Sequence, residues 1–217
     1  MIDWSNIDTI LLDMDGTLLD LNFDNHFWQE FVPKRYGEKH GIDTAAAKAE
    51  IFPRYQRVEG TMNWYCVDYW TGELGLDIAQ LKQEIDHLIA VHPHVFEFLD
   101  VARASGKYLA LVTNAHSKSL ELKMKKTELG RHFDRIVCAH DYGLPKEDLR
   151  FWDHLIKDIP FDKQRTLLVD DSLSVLRSAK DYGMAYLLAV FKPDTQQPVR
   201  EISEFNAIHS FDDIIPR

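Results

Sequence analysis

Short, almost uninterrupted apolar runs recur along the chain, and each closes on polar or acidic residues. They occupy positions 7–12, 108–112, 136–139, 166–169 and 185–190. Runs of this length without polar alternation mark strands covered on both faces. Between them, apolar residues return at helical spacing. Val95, Phe98, Leu99 and Ala102 precede Gly106, and the stretch 120–129 precedes Gly130. Trp152, Leu155 and Ile156 mark a third helix, and 173–182 a fourth, with Ser172 placed to cap its start and Gly183 to end it. Strand–helix alternation predicts an α/β fold, a doubly wound and mostly parallel sheet. The tail from Gln196 is expected to add a sheet edge and a final helical turn at 210–213.

One stretch breaks this rhythm. Residues 21–91 show no buried strand but several helical faces: Phe27, Trp28, Phe31 and Val32, then Ile78, Leu81, Ile85, Leu88 and Ile89 with Asp77 as a cap. This predicts a core domain from 1–20 and 92–217 and a small all-helical cap domain, 21–91, over the sheet. No internal repeat or low-complexity segment is visible.

Composition narrows the function. Lys and Arg total 25 against 35 Asp and Glu, a net charge of −10. That disfavours binding of nucleic-acid polymers, which relies on clustered cations facing phosphate. Cys66 and Cys138 have no Cys-x-x-Cys spacing, so a zinc ribbon or dithiol redox site is excluded, and both are expected as buried, reduced thiols. The ten histidines, His92 and His94 included, show no third ligand at metal-binding spacing and read as surface or hinge residues. The N-terminus lacks a basic signal region and no apolar run approaches the ~20 residues of a membrane span, so a cytoplasmic protein without membrane contact is expected.

The chemistry gathers at strand ends. The first run leads into Asp13-Met14-Asp15-Gly16-Thr17, where Gly16 permits an immediate sharp turn that keeps both carboxylates at the strand end. The fourth ends in Asp170-Asp171-Ser172. Converging carboxylates repel unless a hard divalent cation joins them, magnesium by default; helix capping accounts for one aspartate of the second pair but not both. Thr113-Asn114 closes the second run, as an anion cradle or an ordinary strand exit. Lys146 follows the third and by itself reads as an exposed ion-pairing lysine.

Asp13-x-Asp15-Gly16-Thr17, Thr113-Asn114, Lys146 and Asp170-Asp171-Ser172, in this order and each at a strand end, resemble the haloacid dehalogenase (HAD) superfamily of phosphohydrolases. The resemblance implies Asp13 as nucleophile and Asp15 as the acid that protonates the leaving oxygen and then activates water. It implies Thr113, Asn114 and Lys146 as phosphate ligands. Asp13, the Asp15 carbonyl, Asp170 and Asp171 are implied around Mg2+. Glu147 and Asp148 stand where the family often has prolines, which leaves that loop's shape open. An acid at Asp15 argues against the dehalogenase branch.

The insert sits where the family's helical, type 1 cap does. Its aromatic segment 60–70, with 13–20 and Asn22-Phe23-Asp24, resembles the bacterial GMP/IMP 5′-nucleotidases of the superfamily. This implies a purine mononucleotide as the small phosphorylated partner. The aromatics of 64–70 pack the cap core or stack on a base, and at least one of Trp64, Tyr65 and Tyr69 is expected to line the site. A sugar-phosphate or phosphoglycolate phosphatase, a phosphomutase and a non-catalytic phosphate-binding module are the alternatives.

Overall fold

The computed structural model describes residues 2–216; Met1 and Arg217, the ends of the expected core, lie outside the described residues. Six strands, β1 (Thr9–Leu12), β2 (Tyr108–Thr113), β3 (Arg135–Cys138), β4 (Thr166–Val169), β5 (Tyr186–Val190) and β6 (Asn206–Ile208), form one parallel sheet in the order β3-β2-β1-β4-β5-β6. Strand side chains point alternately to opposite faces, and β1 shows the result. Ile10 and Leu12 join one buried apolar cluster and Leu11 the other. Both faces therefore need helices, which explains why the strands read as continuous apolar runs.

The helices are α1 (Asn22–His26), α2 (Val32–His40), α3 (Thr44–Val58), α4 (Met62–Tyr65), α5 (Val67–Leu74), α6 (Ile78–Glu84), α7 (Val95–Ala104), α8 (Ser117–Thr127), α9 (Leu149–Asp158) and α10 (Leu173–Tyr182). Phe98 and Leu99 of α7 cover the Leu12 face. Phe151, Trp152 and Leu155 of α9, with Val175 and Leu176 of α10, cover the Leu11 face. β1 lies between β2 and β4, so the ends of these three strands are adjacent by construction.

Helices α1–α6 all fall within 21–91, with a π-helical turn at Phe27–Phe31, and none of the described residues there forms a strand. The chain leaves and re-enters the sheet through two tied segments. Leu19 and Val91 form an antiparallel bridge, Asp20 N–H donates to Ala90 O (2.9 Å) and His92 N–H to Leu18 O (2.9 Å). Among the described residues no helix is long and apolar enough to cross a membrane.

Three local expectations need correction. Helix α8 ends at Thr127, with Glu128 in the left-handed region (φ 58°), and not at Gly130. Turning early brings Leu129 into the core at 0% exposure, which offsets the strain of a left-handed non-glycine residue. Ser172 occupies the capping position of α10 but its hydroxyl pairs with Ser174 Oγ at 2.8 Å. Cys138 is buried as expected, whereas Cys66 is only half-buried.

Candidate active site

The turn after β1 is built by backbone pairing. Leu18 and Leu19 N–H both donate to Met14 O (3.0 and 2.8 Å), and Gly16 N–H to Leu19 O (2.7 Å). Gly16 sits at φ +89°, and a Cβ there would lie 2.7 Å from Asp171 Cγ. Glycine is thus required twice, by the backbone angle and by the close approach of a carboxylate.

Asp13, Asp170 and Asp171 converge where the β1 and β4 ends meet, with carboxylate oxygens within 4.8 Å of one another. Lys146 reaches them from beyond β3. Its buried Nζ donates to Asp13 Oδ1 (2.5 Å), Asp170 Oδ2 (2.7 Å) and Val112 O (3.0 Å), which uses all three N–H bonds. Burial opposes its charge, but Asp13 and Asp170 hold Lys146 above the ordinary lysine range. Burial lifts Asp13 to about 6 against the pull of Lys146. Burial, then Asp13 and Asp170, push Asp171 well above the carboxylate range; Arg200 Nη1, 3.3 Å from its Oδ2, offsets part of this. The donor set fits a hard divalent cation: three carboxylate oxygens in one spot, one of them short of positive charge, with no nitrogen or sulfur donor among them.

Asp15 lines the same cavity but has a different partner. Lys123 Nζ donates to Asp15 Oδ1 (2.6 Å) and to Asp24 Oδ2 (2.6 Å), and Lys82 Nζ donates to Asp24 Oδ1 (2.7 Å). A four-residue chain of charges thus runs from the β1 turn through α8 to α1 and α6 of the insert. Burial lifts Asp15 to about 6 against Lys123. For Asp24, burial also raises the pKa, but Lys123 and Lys82 together draw it well below the usual range. Both lysine side chains are at most 4% exposed.

Thr113 and Asn114 stand at the end of β2, as their sequence position requires. Thr113 Oγ1 accepts from Ala115 N–H (3.0 Å). Asn114 Oδ1 accepts from Lys146 N–H (2.9 Å), and its Nδ2 donates to Glu147 Oε2 (2.9 Å). Glu147 Oε1 in turn accepts from Tyr65 O–H (2.7 Å), joining this loop to the insert. Glu147, in the family's usual proline position, therefore has a structural task.

These groups line a cavity of about 360 Å³ between the strand ends and the insert. Its floor is polar: Asp13, Asp15, Thr113, Asn114, Lys146, Asp170 and Asp171. Its wall is aromatic: Trp28, Tyr55, Trp64, Tyr65 and Trp70. Trp64 and Tyr65 line it, while Tyr69 is outside the lining and packs on Trp70 (centroids 5.0 Å apart). The 64–70 stretch is broken at Cys66 into α4 and α5, which separates Tyr69 from Trp64. Trp28 and Tyr55 meet edge to face, centroids 5.7 Å apart.

A haloacid dehalogenase-like hydrolase family model matches residues 7–183. The chain is also 39% identical to the GMP/IMP nucleotidase YrfG of Escherichia coli, over 99% of this chain and 97% of that one. This chain belongs to the haloacid dehalogenase-like hydrolases. A HAD phosphatase from Thermococcus onnurineus shares the fold, with a TM-score of 0.79 at 21% identity over 96% of each chain. Phosphoglycolate phosphatase of Pseudomonas syringae pv. tomato is 25% identical over 95% of this chain and 78% of that one. A HAD hydrolase with these strand-end carboxylates is an enzyme. Sequence reasoning gave no site role to Asp24, Lys82, Lys123, Glu147 or Arg200; Lys123, Glu147 and Arg200 bond expected site residues directly, and Asp24 and Lys82 extend the Lys123 pairing into the insert.

Proposed function

We propose that this HAD hydrolase is a magnesium-dependent phosphomonoesterase acting on purine 5′-nucleotides, GMP and IMP foremost, with 1–20 and 92–217 as core and 21–91 as cap. The observation that carries this reading is the cavity itself. Its floor holds a pinned nucleophilic carboxylate, and its wall carries aromatic side chains. At about 360 Å³ it lies within the range typical of small-molecule sites. The 39% identity to a GMP/IMP nucleotidase supports the same substrate class.

In this reading Asp13 attacks phosphorus while the ester oxygen leaves, forming an aspartyl-phosphate. Lys146 holds Asp13 Oδ1, which leaves Oδ2 to attack and fixes its direction. Asp15, lifted to about 6 by burial, gives its proton to the leaving 5′-oxygen. It then takes one from the water that attacks the aspartyl-phosphate, releasing Asp13 and inorganic phosphate. A carboxyl near this range can serve as acid and then as base close to neutrality. The Thr113 hydroxyl and the second N–H of the Asn114 amide hold the phosphoryl oxygens, and the Lys146 ammonium, kept beside Asp13, supplies positive charge as negative charge moves onto them. Asp13, Asp170, Asp171 and the Asp15 carbonyl would hold magnesium, which when bound offsets the roughly 5 kcal/mol repulsion between a carboxylate and each phosphate charge at an effective dielectric of about 20.

The floor recognises only a phosphoryl group, so Trp64 and Tyr65, with Trp28 and Tyr55, are assigned to the base. A phosphate-release panel with magnesium tests this. GMP and IMP are expected to exceed hexose phosphates and phosphoglycolate in kcat/KM by tenfold or more. A small sugar phosphate outperforming every purine nucleotide would overturn the substrate assignment.

A further inference from the structure

Beside the catalytic cavity lies a second cluster whose chemistry differs from the first. We propose that Cys66, His116 and His140 form a binding site for a divalent cation of the zinc class, which fastens the helical insert to the sheet. The three residues are far apart in sequence. Cys66 lies between α4 and α5 in the insert, His116 immediately precedes α8, and His140 follows β3. The fold brings one ligand atom of each within 4.8 Å of the others. Tetrahedral zinc, with Zn–N of about 2.0 Å and Zn–S of about 2.3 Å, needs nitrogen and sulfur about 3.5 Å apart. An inward movement of about an ångström completes that geometry.

Independent observations point to a ligand. His140 Nε2 is buried without a hydrogen-bond partner, which among the described residues holds for only one other side-chain atom, Ser210 Oγ. Buried polar atoms left bare call for a reason, and a metal supplies one. Burial pushes both His116 and His140 below the ordinary histidine range, so each ring offers a lone pair near neutral pH. The two rings stand edge to face with centroids 4.8 Å apart, as two ligands on one ion can. Tyr69 N–H donates to Cys66 Sγ (3.4 Å), the kind of outer contact that holds a ligating thiolate in place. Asp68 Oδ2, 3.7 Å from His116 Nε2, is placed to give an oxygen as fourth ligand or to hold a metal-bound water. Ligation through His116 Nε2 moves that ring's proton to Nδ1 and ends the long 3.3 Å contact Nδ1 accepts from Lys118 N–H.

The donors separate the two sites by cation type. Two imidazoles and a thiolate select zinc, cobalt or nickel over magnesium, and the carboxylate cluster prefers hard ions. Because one ligand comes from the insert and two from the sheet, an ion here ties the two together at the rim of the cavity.

Cobalt(II) is the probe, titrated into the magnesium-saturated protein. The wild type is expected to develop a thiolate-to-cobalt charge-transfer band in the near ultraviolet that zinc abolishes. Cys66→Ser should lack the band, and His140→Gln should require at least tenfold more cobalt. Both variants should keep wild-type circular dichroism and wild-type turnover with magnesium alone. Zinc should raise the melting temperature of the wild type but not of Cys66→Ser. No charge-transfer band in the wild type, or a band of equal strength in Cys66→Ser, would overturn the proposal.

Discussion

Replacing Lys123 with methionine removes an ammonium while leaving the length and most of the volume of the side chain. Lys123 is 1% exposed and bonds Asp15 and Asp24 at 2.6 Å each. Deleting one partner of a buried ion pair commonly costs about 3–5 kcal/mol, but two features limit the loss here. Asp24 keeps Lys82 at 2.7 Å. Asp15, already lifted to about 6 by burial, escapes by taking a proton once its cation is gone. Completing that lift to an assay pH near 7 spans about one pH unit, so the net loss of stability should be roughly 1–2 kcal/mol. The functional loss should be larger in proportion. A protonated, unrestrained Asp15 can still protonate a leaving group but no longer accepts a proton from water. With an aryl phosphate, Lys123→Met should give a burst of aryl alcohol followed by slow turnover, with steady-state kcat at pH 7 down tenfold or more. Raising the pH should recover part of it, and Lys123→Arg should retain more activity than Lys123→Met. Urea unfolding and rapid-quench kinetics measure the two effects separately. A variant that loses stability yet keeps kcat within about twofold, with no burst, would free Asp15 of any dependence on Lys123 and leave Lys123 as a strut between insert and core.

Three further outcomes follow from single contacts. Gly16→Ala should abolish detectable turnover while the protein remains folded by circular dichroism, since its Cβ meets the Asp171 carboxylate at 2.7 Å; activity above about a tenth of wild type would mean the turn can relax. Trp64→Ala should raise KM for GMP about tenfold, on the order of 1.4 kcal/mol, and change kcat/KM for an aryl phosphate much less; equal effects on both substrates would remove Trp64 from base recognition. For His140, the folded-state pKa is depressed by burial, so the unfolded chain binds the extra proton and stability falls as pH drops through about 6.5. His140→Gln should therefore lose less stability than wild type between pH 7.5 and 5.5 in chelator, and parallel losses would contradict the burial argument.

The parts of the site visible in the sequence are those built by consecutive residues. A buried parallel strand must end in a turn, and carboxylates placed there can only face the ligand-binding edge of the sheet, so Asp13, Asp15, Asp170 and Asp171 declare themselves. Lys123 does not. It stands in Lys123-Met124-Lys125-Lys126, which has the pattern of a solvated basic face. Only its Ser119 neighbour one turn back, also buried, hints that a polar stripe of α8 turns inward. Its partners Asp15 and Asp24 are 108 and 99 positions away, and such pairings depend on the fold and not on local pattern. The histidines show no third ligand along the chain for the same reason: Cys66, His116 and His140 meet only once the insert settles beside the ends of β2 and β3. The helix stop at Glu128 was hidden because burial of Leu129, a tertiary effect, outweighed the local preference for glycine.

In the proposed reaction the phosphoryl group passes through Asp13. An Asp15→Asn protein should still accept phosphate from an aryl ester, whose leaving group hardly needs an acid, and should release it slowly. Mixing that variant with magnesium and an aryl phosphate, quenching in acid and mapping the peptides by mass spectrometry reads the answer directly. Near-stoichiometric phosphoryl label is expected on Asp13, absent when Asp13 is also replaced by Asn. Release of aryl alcohol with Asp13 unlabelled, or with the label on another residue, would contradict it.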